Sequence, residues 1–548
     1  MLEYKTMIGM LSQKSNEPTK TKKAMKQTIK YLSIAALVVV GANMMSCNKV
    51  ELSTEQLQED KTTSNVVTLT TTVGLDGGAT TRALTSGGVK TFAAGETIAL
   101  VYKKTGGATA VAVSEALKDD GDIASGAKSA TFTFTLEDPD NTQNVTYVYP
   151  AAMAKADGSI NYNALSTQDG TLESLASNLD LATYTGAWSG ASLPTGTLEN
   201  QLAILAITVK DNVTPTANDI TSTITTLSVG DGTNVYSVSR SAAAGPIYVA
   251  IKPTTSATIG VNASDGAKRY YKELTTKTYA ASNGYSVNWK MNEGGAHLSA
   301  LTGDYTANDG ETLKGTLAKN VKVSIADGAT VTLDGVTING TNEWGLFWAG
   351  ITCLGDATII LKDGTTNTVK GFYNSYPGVF VPSGKTLTIN GTGSLNASSN
   401  GRGAGIGGVY DGASCGNIVI ANGNITAVGG ADAAGIGGAQ YGTCGYITIS
   451  GGTVNATGGD YAAGIGCPDD CSCGTITISG GTVIAQGGGD GAGIGSGFLG
   501  SCGDIEITAG VTSVTATKGS SLAQSIGAGF NGSCGTVTIE DPSKVTQN

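Results

Sequence analysis

A segment of about 29 residues repeats along the second half of this chain, and this repetition limits the fold more than any other feature. The stretch GAGIGGVYDGASCGNIVI, residues 403–420, returns as AAGIGGAQYGTCGYITI, AAGIGCPDDCSCGTITI, GAGIGSGFLGSCGDIEI and SIGAGFNGSCGTVTI. A phosphate-binding loop or a thiol site is normally built once, whereas a structural unit is repeated. The repeats therefore indicate stacked structural coils.

Apolar triplets mark one strand in each repeat. They begin at Val331, Ile359, Leu387, Ile418, Ile447, Ile476, Ile505 and Val537. Each triplet is followed by a turn, a second short strand and an AGIG-type corner, so three short strands make one coil. Each coil buries its apolar face only against its neighbours. The sequence predicts a C-terminal parallel β-helix of about eight coils over residues 293–548.

The first half of the chain has a different pattern. Residues 65–292 contain short alternating runs, such as VVTLTTTVGL and ATFTFTL, bounded by Gly, Asp, Asn and Pro. Runs of this kind are typical of antiparallel β-sandwiches. The segment TLESLASNLDLATY has some helical spacing and predicts one crossover helix. We therefore expect an all-β chain with two different β architectures.

Residues 1–47 have the pattern of a lipoprotein signal peptide. Lysines precede the apolar run YLSIAALVVVGA, which is short for a membrane span and typical of a signal sequence. The following MMSCNK resembles a bacterial lipobox and makes Cys47 the candidate lipidated residue; the alternative is ordinary cleavage nearby, with Cys47 a free thiol. Residues 48–64 are polar and predict a flexible tether. We expect an outer-membrane or cell-surface protein that touches the membrane only through its lipid.

Composition excludes several functions. The net charge of −11 argues against nucleic-acid binding, which needs clusters of Lys and Arg. The chain has one histidine, His297, so a catalytic histidine or a multi-histidine metal site is not expected. We expect His297 to be a linker residue, and we expect no cofactor.

The first half contains five motifs in a fixed order: TTRA (80–83), FAAGETIALVY (92–102), YVYPA (147–151), LDLATYTG (179–186) and LENQLAILAITV (198–209). Their order and spacing resemble the fimbrillin family, the pilus subunits of Bacteroides-type anaerobes. The resemblance implies a fimbrillin-like, transthyretin-like double β-sandwich. It also implies cell adhesion as a function and other pilus subunits as partners.

The resemblance to fimbrillins implies that the Arg82-Ala83 bond is a site of proteolytic processing. In fimbrillins an Arg-specific protease cuts a comparable bond and removes the first strand, which opens a groove for a strand of another subunit. An ordinary exposed loop arginine is the alternative for Arg82. Because a β-helix follows Met291, we expect a subunit that accepts a strand without donating one, at a pilus tip. A surface glycan-binding lipoprotein outside any pilus is the second hypothesis.

The second half runs from GDYTANDGETLKG through DATIILKDGTTNTVKG to the GAGIGG coils. These stretches resemble bacterial extracellular carbohydrate-binding β-helices related in fold to pectate lyases. Spaced aromatic residues can stack on sugar rings, or they can pack over a solenoid corner. The candidate sugar-binding residues are Tyr410, Tyr441, Phe498 and Phe530 after the corners, and Trp344 and Trp348 in an early coil.

Acidic residues and cysteines also recur with the repeat. Asp432, Asp460 and Asp490 are weak calcium candidates, or simply turn formers. Stacked coils place like side chains ~4.8 Å apart, too far for an unstrained disulfide. We therefore expect a column of buried thiols, with one or two disulfides between coils as the alternative; a Cys467–Cys471 bridge also stays open. The column residues are Cys415, Cys444, Cys473, Cys502 and Cys534.

A polysaccharide-lyase activity is the rival hypothesis. Such an enzyme needs clustered acids and a basic residue that abstracts a proton. Residues 401–548 contain only Arg402, Lys518 and Lys544 as basic residues, and no carboxylate–base pattern repeats around them. We expect the chain not to be an enzyme.

Overall fold

The computed structural model describes residues 65–75, 91–119, 121–410, 412 and 414–548. The described residues belong to one compact unit. The lipidation candidate Cys47 and the processing candidates Arg82 and Ala83 lie outside the described residues.

Sixteen strands form the first half of the described chain. They are β1 (Val66–Leu75), β2 (Ala99–Lys103), β3 (Thr109–Val113), β4 (Ser129–Glu137), β5 (Asn144–Tyr149), β6 (Thr167–Gln168), β7 (Ala182–Ala187), β8 (Gly196–Asn200), β9 (Ala203–Lys210), β10 (Thr226–Gly230), β11 (Val235–Ser239), β12 (Ile247–Ile251), β13 (Thr254–Ser264), β14 (Arg269–Tyr279), β15 (Asn283–Lys290) and β16 (Asn292–Glu293).

One α-helix, α1 (Leu172–Asn178), lies within the predicted crossover segment. Its N-terminus is capped by Thr171, whose hydroxyl accepts a hydrogen bond from the backbone N–H of Ser174. None of the helices in the described ranges is long and apolar enough to cross a membrane. The short 3₁₀ helices are Ala151–Met153, Tyr162–Ser166, Thr221–Thr223, Leu298–Ala300 and Pro542–Lys544.

These strands form three sheets around two hydrophobic cores. The sheets have the orders β3-β2-β5-β7-β8-β1-β4, β16-β14-β13-β10-β11-β6 and β12-β9-β15. Alternation along β4 turns Phe132, Phe134 and Leu136 inward while the residues between them face outward. A second core forms around residues such as Leu205 and Trp289. The N-terminal half is thus a layered, mainly antiparallel β structure.

Strand β1 lies inside the seven-stranded sheet, between β4 and β8. It pairs antiparallel with β4 over nine register pairs, from Val66 to Gly74. It also pairs in parallel with β8 through Val73, Gly74 and Leu75. Val73 and Leu75 are buried in the same core as Phe132. The first described strand is therefore a structural member of the sheet on both of its edges.

Thirty further strands form the second half. They are β17 (Gly295–His297), β18 (Tyr305–Ala307), β19 (Thr312–Thr316), β20 (Val323–Ile325), β21 (Ala329–Asn339), β22 (Ile351–Cys353), β23 (Ala357–Leu361), β24 (Thr366–Lys370), β25 (Val379–Phe380), β26 (Thr386–Gly391), β27 (Ser394–Ser398), β28 (Ile406–Gly407), β29 (Asn417–Ile420), β30 (Asn424–Val428), β31 (Ile436–Gly437), β32 (Thr443–Cys444), β33 (Ile447–Ile449), β34 (Thr453–Thr457), β35 (Ile465–Gly466), β36 (Ser472–Cys473), β37 (Ile476–Ile478), β38 (Thr482–Gln486), β39 (Ile494–Gly495), β40 (Ser501–Cys502), β41 (Ile505–Ile507), β42 (Ser513–Thr517), β43 (Ile526–Gly527), β44 (Ser533–Cys534), β45 (Val537–Ile539) and β46 (Val545–Gln547).

The second half is a parallel solenoid with three strand ladders. The ladder of apolar triplets runs β23-β26-β29-β33-β37-β41-β45, and a second ladder runs β24-β27-β30-β34-β38-β42-β46. The third, which we call the corner ladder, runs β18-β20-β22-β25-β28-β31-β35-β39-β43. Ile418, Ile447 and Ile476 stack in register and are fully buried. The predicted all-β fold with a parallel solenoid of about eight coils is confirmed.

A glycine column lies at the corner ladder. Gly407, Gly437, Gly466, Gly495 and Gly527 have φ between +131° and +135°, a region that side chains rarely adopt. A Cβ atom on Gly437 would lie 1.9 Å from the carbonyl oxygen of Gly466 in the next coil. Glycine is needed here for both its conformation and its lack of a side chain.

The first half meets the solenoid at His297, which is not the linker residue that the sequence suggested. Strand β16 pairs with β14, whereas β17, three residues later, pairs with β19. His297 is 1% exposed because its imidazole fills the space left by Gly260 and Gly315. Its Nε2 lies 3.0 Å from the Glu273 carboxylate and its Nδ1 lies 2.9 Å from the Ser299 hydroxyl. A histidine therefore fastens one half of the chain to the other.

The buried histidine predicts loss of stability in acid. Burial lowers the pKa of His297 below its usual value; Lys314 acts in the same direction and Glu273 opposes it. The unfolded chain therefore takes up a proton at about pH 6.5, while the folded chain resists it. This contribution to stability is present above that pH and is lost as the pH falls below it.

We expect the urea midpoint to fall between pH 7.5 and pH 5, and to fall less in His297→Gln. Both proteins would be measured by circular dichroism at each pH. The comparison cancels the carboxylates, which titrate in both. Equal pH dependence in the two proteins would show that His297 does not carry the effect.

Candidate binding face of the solenoid

Loops on either side of the corner ladder carry most of the exposed aromatic residues of the solenoid. Because the coils stack in register, loops of successive coils lie side by side. We call this surface the corner face. It is defined by Trp344, Phe347, Tyr373, Arg402, Tyr410, Asp432, Gln440, Tyr441, Tyr461, Asp469, Asp470, Phe498, Leu499 and Phe530.

Three aromatic rings form a cluster in the early coils. Trp344 is 83% exposed, and its ring centroid lies 5.7 Å from that of Phe347. Phe347 in turn lies 5.0 Å from Tyr373 in the next coil. The nearby Trp348 instead packs inward, 5.5 Å from the buried Phe372. The two predicted tryptophans are therefore not brought together.

The four predicted corner aromatics form two separate pairs. Tyr410 and Tyr441 have ring centroids 6.2 Å apart, and Phe498 and Phe530 are 5.7 Å apart. The coil between the pairs carries Asp469 and Asp470 at this position, as the sequence indicates. Tyr461 extends the second pair, since its ring lies 6.1 Å from that of Phe498.

An ion pair that sequence reasoning missed lies beside the first aromatic pair. The Nε of Arg402 is 3.2 Å from the Asp432 carboxylate. The Arg402 guanidinium also lies 4.9 Å from the ring centre of Tyr410 and donates a 2.7 Å hydrogen bond to its hydroxyl. Arg402 and Asp432 stand one repeat apart, so aligned coils could have predicted the pair.

A second polar group lies beside Tyr441. The side-chain amide of Gln440 donates a 2.6 Å hydrogen bond to one carboxylate oxygen of Asp469 in the next coil. The other oxygen of Asp469 is buried and has no hydrogen-bond partner within the described ranges. Burial raises the pKa of this carboxyl, as do the neighbouring carboxylates, while Gln440 opposes the shift. Gln440 and Asp469 thus form a hydrogen-bonded pair between neighbouring coils, and the second carboxylate oxygen of Asp469 is closed off from solvent.

One position in the loops after the corner ladder has left-handed backbone in each of the five coils that carry a column cysteine. Gly412, Tyr441, Asp470, Leu499 and Asn531 each stand three residues before a column cysteine, and all have positive φ. Glycine, Asn and Asp tolerate this conformation, whereas a bulky residue costs about 1–2 kcal/mol. Tyr441 and Leu499 are nevertheless 56% and 48% exposed, so burial does not offset the cost.

The calcium candidates occupy equivalent loops without forming a cluster. Asp432 is already paired with Arg402, and Asp490 accepts a 3.2 Å hydrogen bond from the hydroxyl of Ser520. Asp460 is exposed. In the part of the chain that the structure describes, no group of three acidic, cysteine or histidine side chains is placed to hold a metal ion.

The cysteine column is present and faces the interior. Cys444, Cys473, Cys502 and Cys534 lie in register on β32, β36, β40 and β44, which add a fourth short strand to the late coils. The Cys415 thiol donates toward the sulfur of Cys444. All the cysteines among the described residues are free thiols. They fill the coil interior as small apolar groups.

A family model described as a beta helix repeat matches residues 387–412, 418–440, 447–467 and 476–498. Together with the strand ladders, this match defines the class of protein: an all-β chain with a parallel β-solenoid.

Two solved structures are similar to the chain. One is a fimbrial assembly protein from Parabacteroides distasonis, with 13% identity over 41% of this chain and 90% of that chain, at a TM-score of 0.25. The other is a candidate cell adhesion protein from Bacteroides fragilis, with 12% identity over 40% and 91% of the two chains, at a TM-score of 0.25. A comparison with curated proteins gives no match.

Proposed function

We propose that the chain is a cell-surface adhesion subunit. Its N-terminal sandwich joins a pilus by accepting a strand from another subunit, and its solenoid presents the adhesive surface. The position of β1 carries this proposal. A strand at the start of the fold that lies between two others can be replaced by a strand from elsewhere, provided that its covalent link is cut.

The pairing of β1 supports such an exchange. Nine register pairs with β4 and three with β8 would lose their partner if β1 left the sheet. The pockets of Val73 and Leu75 would also be opened. Unpaired strand edges beside apolar pockets bind extended peptides, with the backbone giving affinity and the pockets giving specificity. Arg82-Ala83 lies in sequence between β1 and the rest of the sheet, where a single cut would break the covalent link and make the strand exchangeable.

Two candidate sites in the N-terminal residues bear on where the chain resides. Lipidation at Cys47 would bring the chain to the outer membrane before assembly, and cleavage at Arg82 followed by exchange of β1 would free it from its lipid. The residues that follow the sandwich are folded into paired solenoid strands. This arrangement supports a place at a pilus end, with the solenoid as the adhesive rod.

A binding role without catalysis is part of the same proposal. The basic residue on the corner face, Arg402, is held by Asp432 and Tyr410. A guanidinium in an ion pair is a poor base, because arginine stays protonated in proteins. The corner face is therefore better suited to holding a ligand than to removing a proton from one.

The proposal is tested in the bacterium that makes the protein. Surface fibres are removed by shearing, and the N-terminus of this chain in the fibre fraction is sequenced. We expect Ala83 as the first residue, and we expect Arg82→Ala to abolish incorporation. Recovery of the chain only in membranes, with its N-terminus at Cys47, would instead favour a free-standing surface lipoprotein.

A further inference from the structure

The corner face carries exposed rings along much of the solenoid, where they add little to the fold. Trp344 and Phe347 are 83% and 45% exposed at one end, and Tyr441 and Tyr461 are 56% and 45% exposed further along. Single exposed aromatic residues are ordinary, but a row of them marks an interaction surface. Several consecutive coils contribute, so a ligand that fits this row is long and lies along the solenoid axis.

The left-handed position points to a ligand at the centre of the row. Gly412 shows that glycine fits this position without strain, yet the next coil has Tyr441 and a later coil has Leu499. Strained residues cluster where they serve binding or catalysis. A shallow, solvent-open depression lies beside these two side chains and is also lined by Thr443 and Asp470. An exposed ring beside hydroxyl and carboxylate groups offers one apolar face and several hydrogen-bonding groups to a polar ring.

Polar groups next to the rings supply the matching hydrogen bonds. Arg402 and Asp432 flank Tyr410, and Gln440 holds Asp469 beside Tyr441. The exposed carboxylate of Asp470, which lines the depression beside Tyr441, can accept a hydrogen bond from a ligand hydroxyl. Aromatic faces combined with a few fixed donors and acceptors suit sugar rings, which have apolar faces and polar edges.

The charges of the corner face indicate whether it suits neutral or acidic sugars. Among the described residues that define the corner face, Arg402 alone is basic, and Asp432 neutralises its charge. Asp469 and Asp470 lie between the two aromatic pairs, and Asp460 is exposed nearby. The exposed carboxylates of Asp470 and Asp460 repel a polymer that carries a carboxylate on each sugar.

We propose that the corner face binds a linear, uncharged glycan lying along the solenoid axis, with sugar rings on Trp344 and on Tyr441. This inference rests on the adhesive role proposed for the solenoid. Successive coils are ~4.8 Å apart, close to the length of one sugar unit in an extended chain. Each coil can therefore meet about one sugar unit, and affinity grows with chain length until the row is filled.

Calorimetry with the full chain tests the inference. The probes are cellohexaose, mannohexaose, laminarihexaose and chitohexaose, with hexagalacturonate as the acidic match. We expect at least one neutral hexasaccharide to bind more tightly than its trisaccharide, and we expect hexagalacturonate to be neither bound nor cleaved.

Two variants locate the site and one serves as control. Tyr441→Gly removes the ring but places glycine in a left-handed position, so the fold should be at least as stable as before. Trp344→Ala alters a side chain that is almost wholly exposed. Each should weaken binding about tenfold or more, as truncation of a buried contact does. Tyr446→Ala, at an exposed tyrosine outside the corner face, should leave binding unchanged.

Three results would overturn the inference. They are the absence of binding to all four neutral probes, equal binding of hexagalacturonate, and wild-type affinity in both Tyr441→Gly and Trp344→Ala. A chain that enters fibres and adheres to cells through a protein ligand, without binding the glycans, would refute this inference and leave the adhesion role in place. A chain that binds the glycans but keeps Cys47 as its N-terminus would support this inference and refute the proposed place in a pilus.

Discussion

Gly437→Ala is expected to destabilise the solenoid by about 4 kcal/mol or more, the range reached when a substitution forces a collision inside a packed core. The new Cβ would lie 1.9 Å from the carbonyl oxygen of Gly466, which belongs to the backbone of the next coil and has little freedom to move. The φ of +132° adds the strain of a conformation that alanine avoids. Urea unfolding followed by circular dichroism measures the loss.

Gly364→Ala is the matched control. Gly364 has a φ of +69°, but a Cβ atom there meets nothing within 4 Å. It should cost only the conformational penalty of about 1–2 kcal/mol. The difference between the two variants isolates the contact between neighbouring coils. Equal losses would contradict the view that close backbone approach, rather than turn conformation, fixes glycine in the column.

The period of the repeat accounts for what could be predicted about the solenoid. Side chains one repeat apart stack in a parallel coil, so the register of Ile418 on Ile447 follows directly from their spacing. The same reasoning gives the cysteine column. It also gives the Arg402–Asp432 pair, which is hidden when Arg402 is considered as a single charge. Periodicity thus predicts contacts between coils as well as the coils themselves.

Irregular segments account for what could not be predicted. Trp344 and Trp348 lie in one loop with no period, so the sequence does not say that the first faces solvent and the second packs on Phe372. His297 is buried by Gly260 and Glu273 of the first half and by Gly315 of the solenoid. These partners meet His297 only when the two halves pack together. A contact between residues so far apart in sequence leaves no local sequence pattern that could predict it.

The second large effect concerns β1. After cleavage at Arg82, the strand is expected to stay bound through its pairs with β4 and its buried side chains, Val73 and Leu75. Its exchange with free strands then becomes possible, because a covalently linked β1 competes at a high effective concentration and a cut one does not. The other arginines, Arg240, Arg269 and Arg402, are in folded segments, so an Arg-specific protease can be used on the native chain.

The most direct measurement of strand acceptance uses a fluorescent peptide of the β1 sequence, VVTLTTTVGL, with cut and uncut full-length protein. Native size-exclusion chromatography reports the peptide bound per chain. A peptide with aspartate in place of Val73 and Leu75 is the control, since charged side chains cannot enter the apolar pockets. With the peptide in excess over the retained β1, we expect about one equivalent on the cut protein and none on the uncut protein or with the control peptide. No uptake after complete cleavage, or equal uptake of both peptides, would contradict a strand-accepting sandwich.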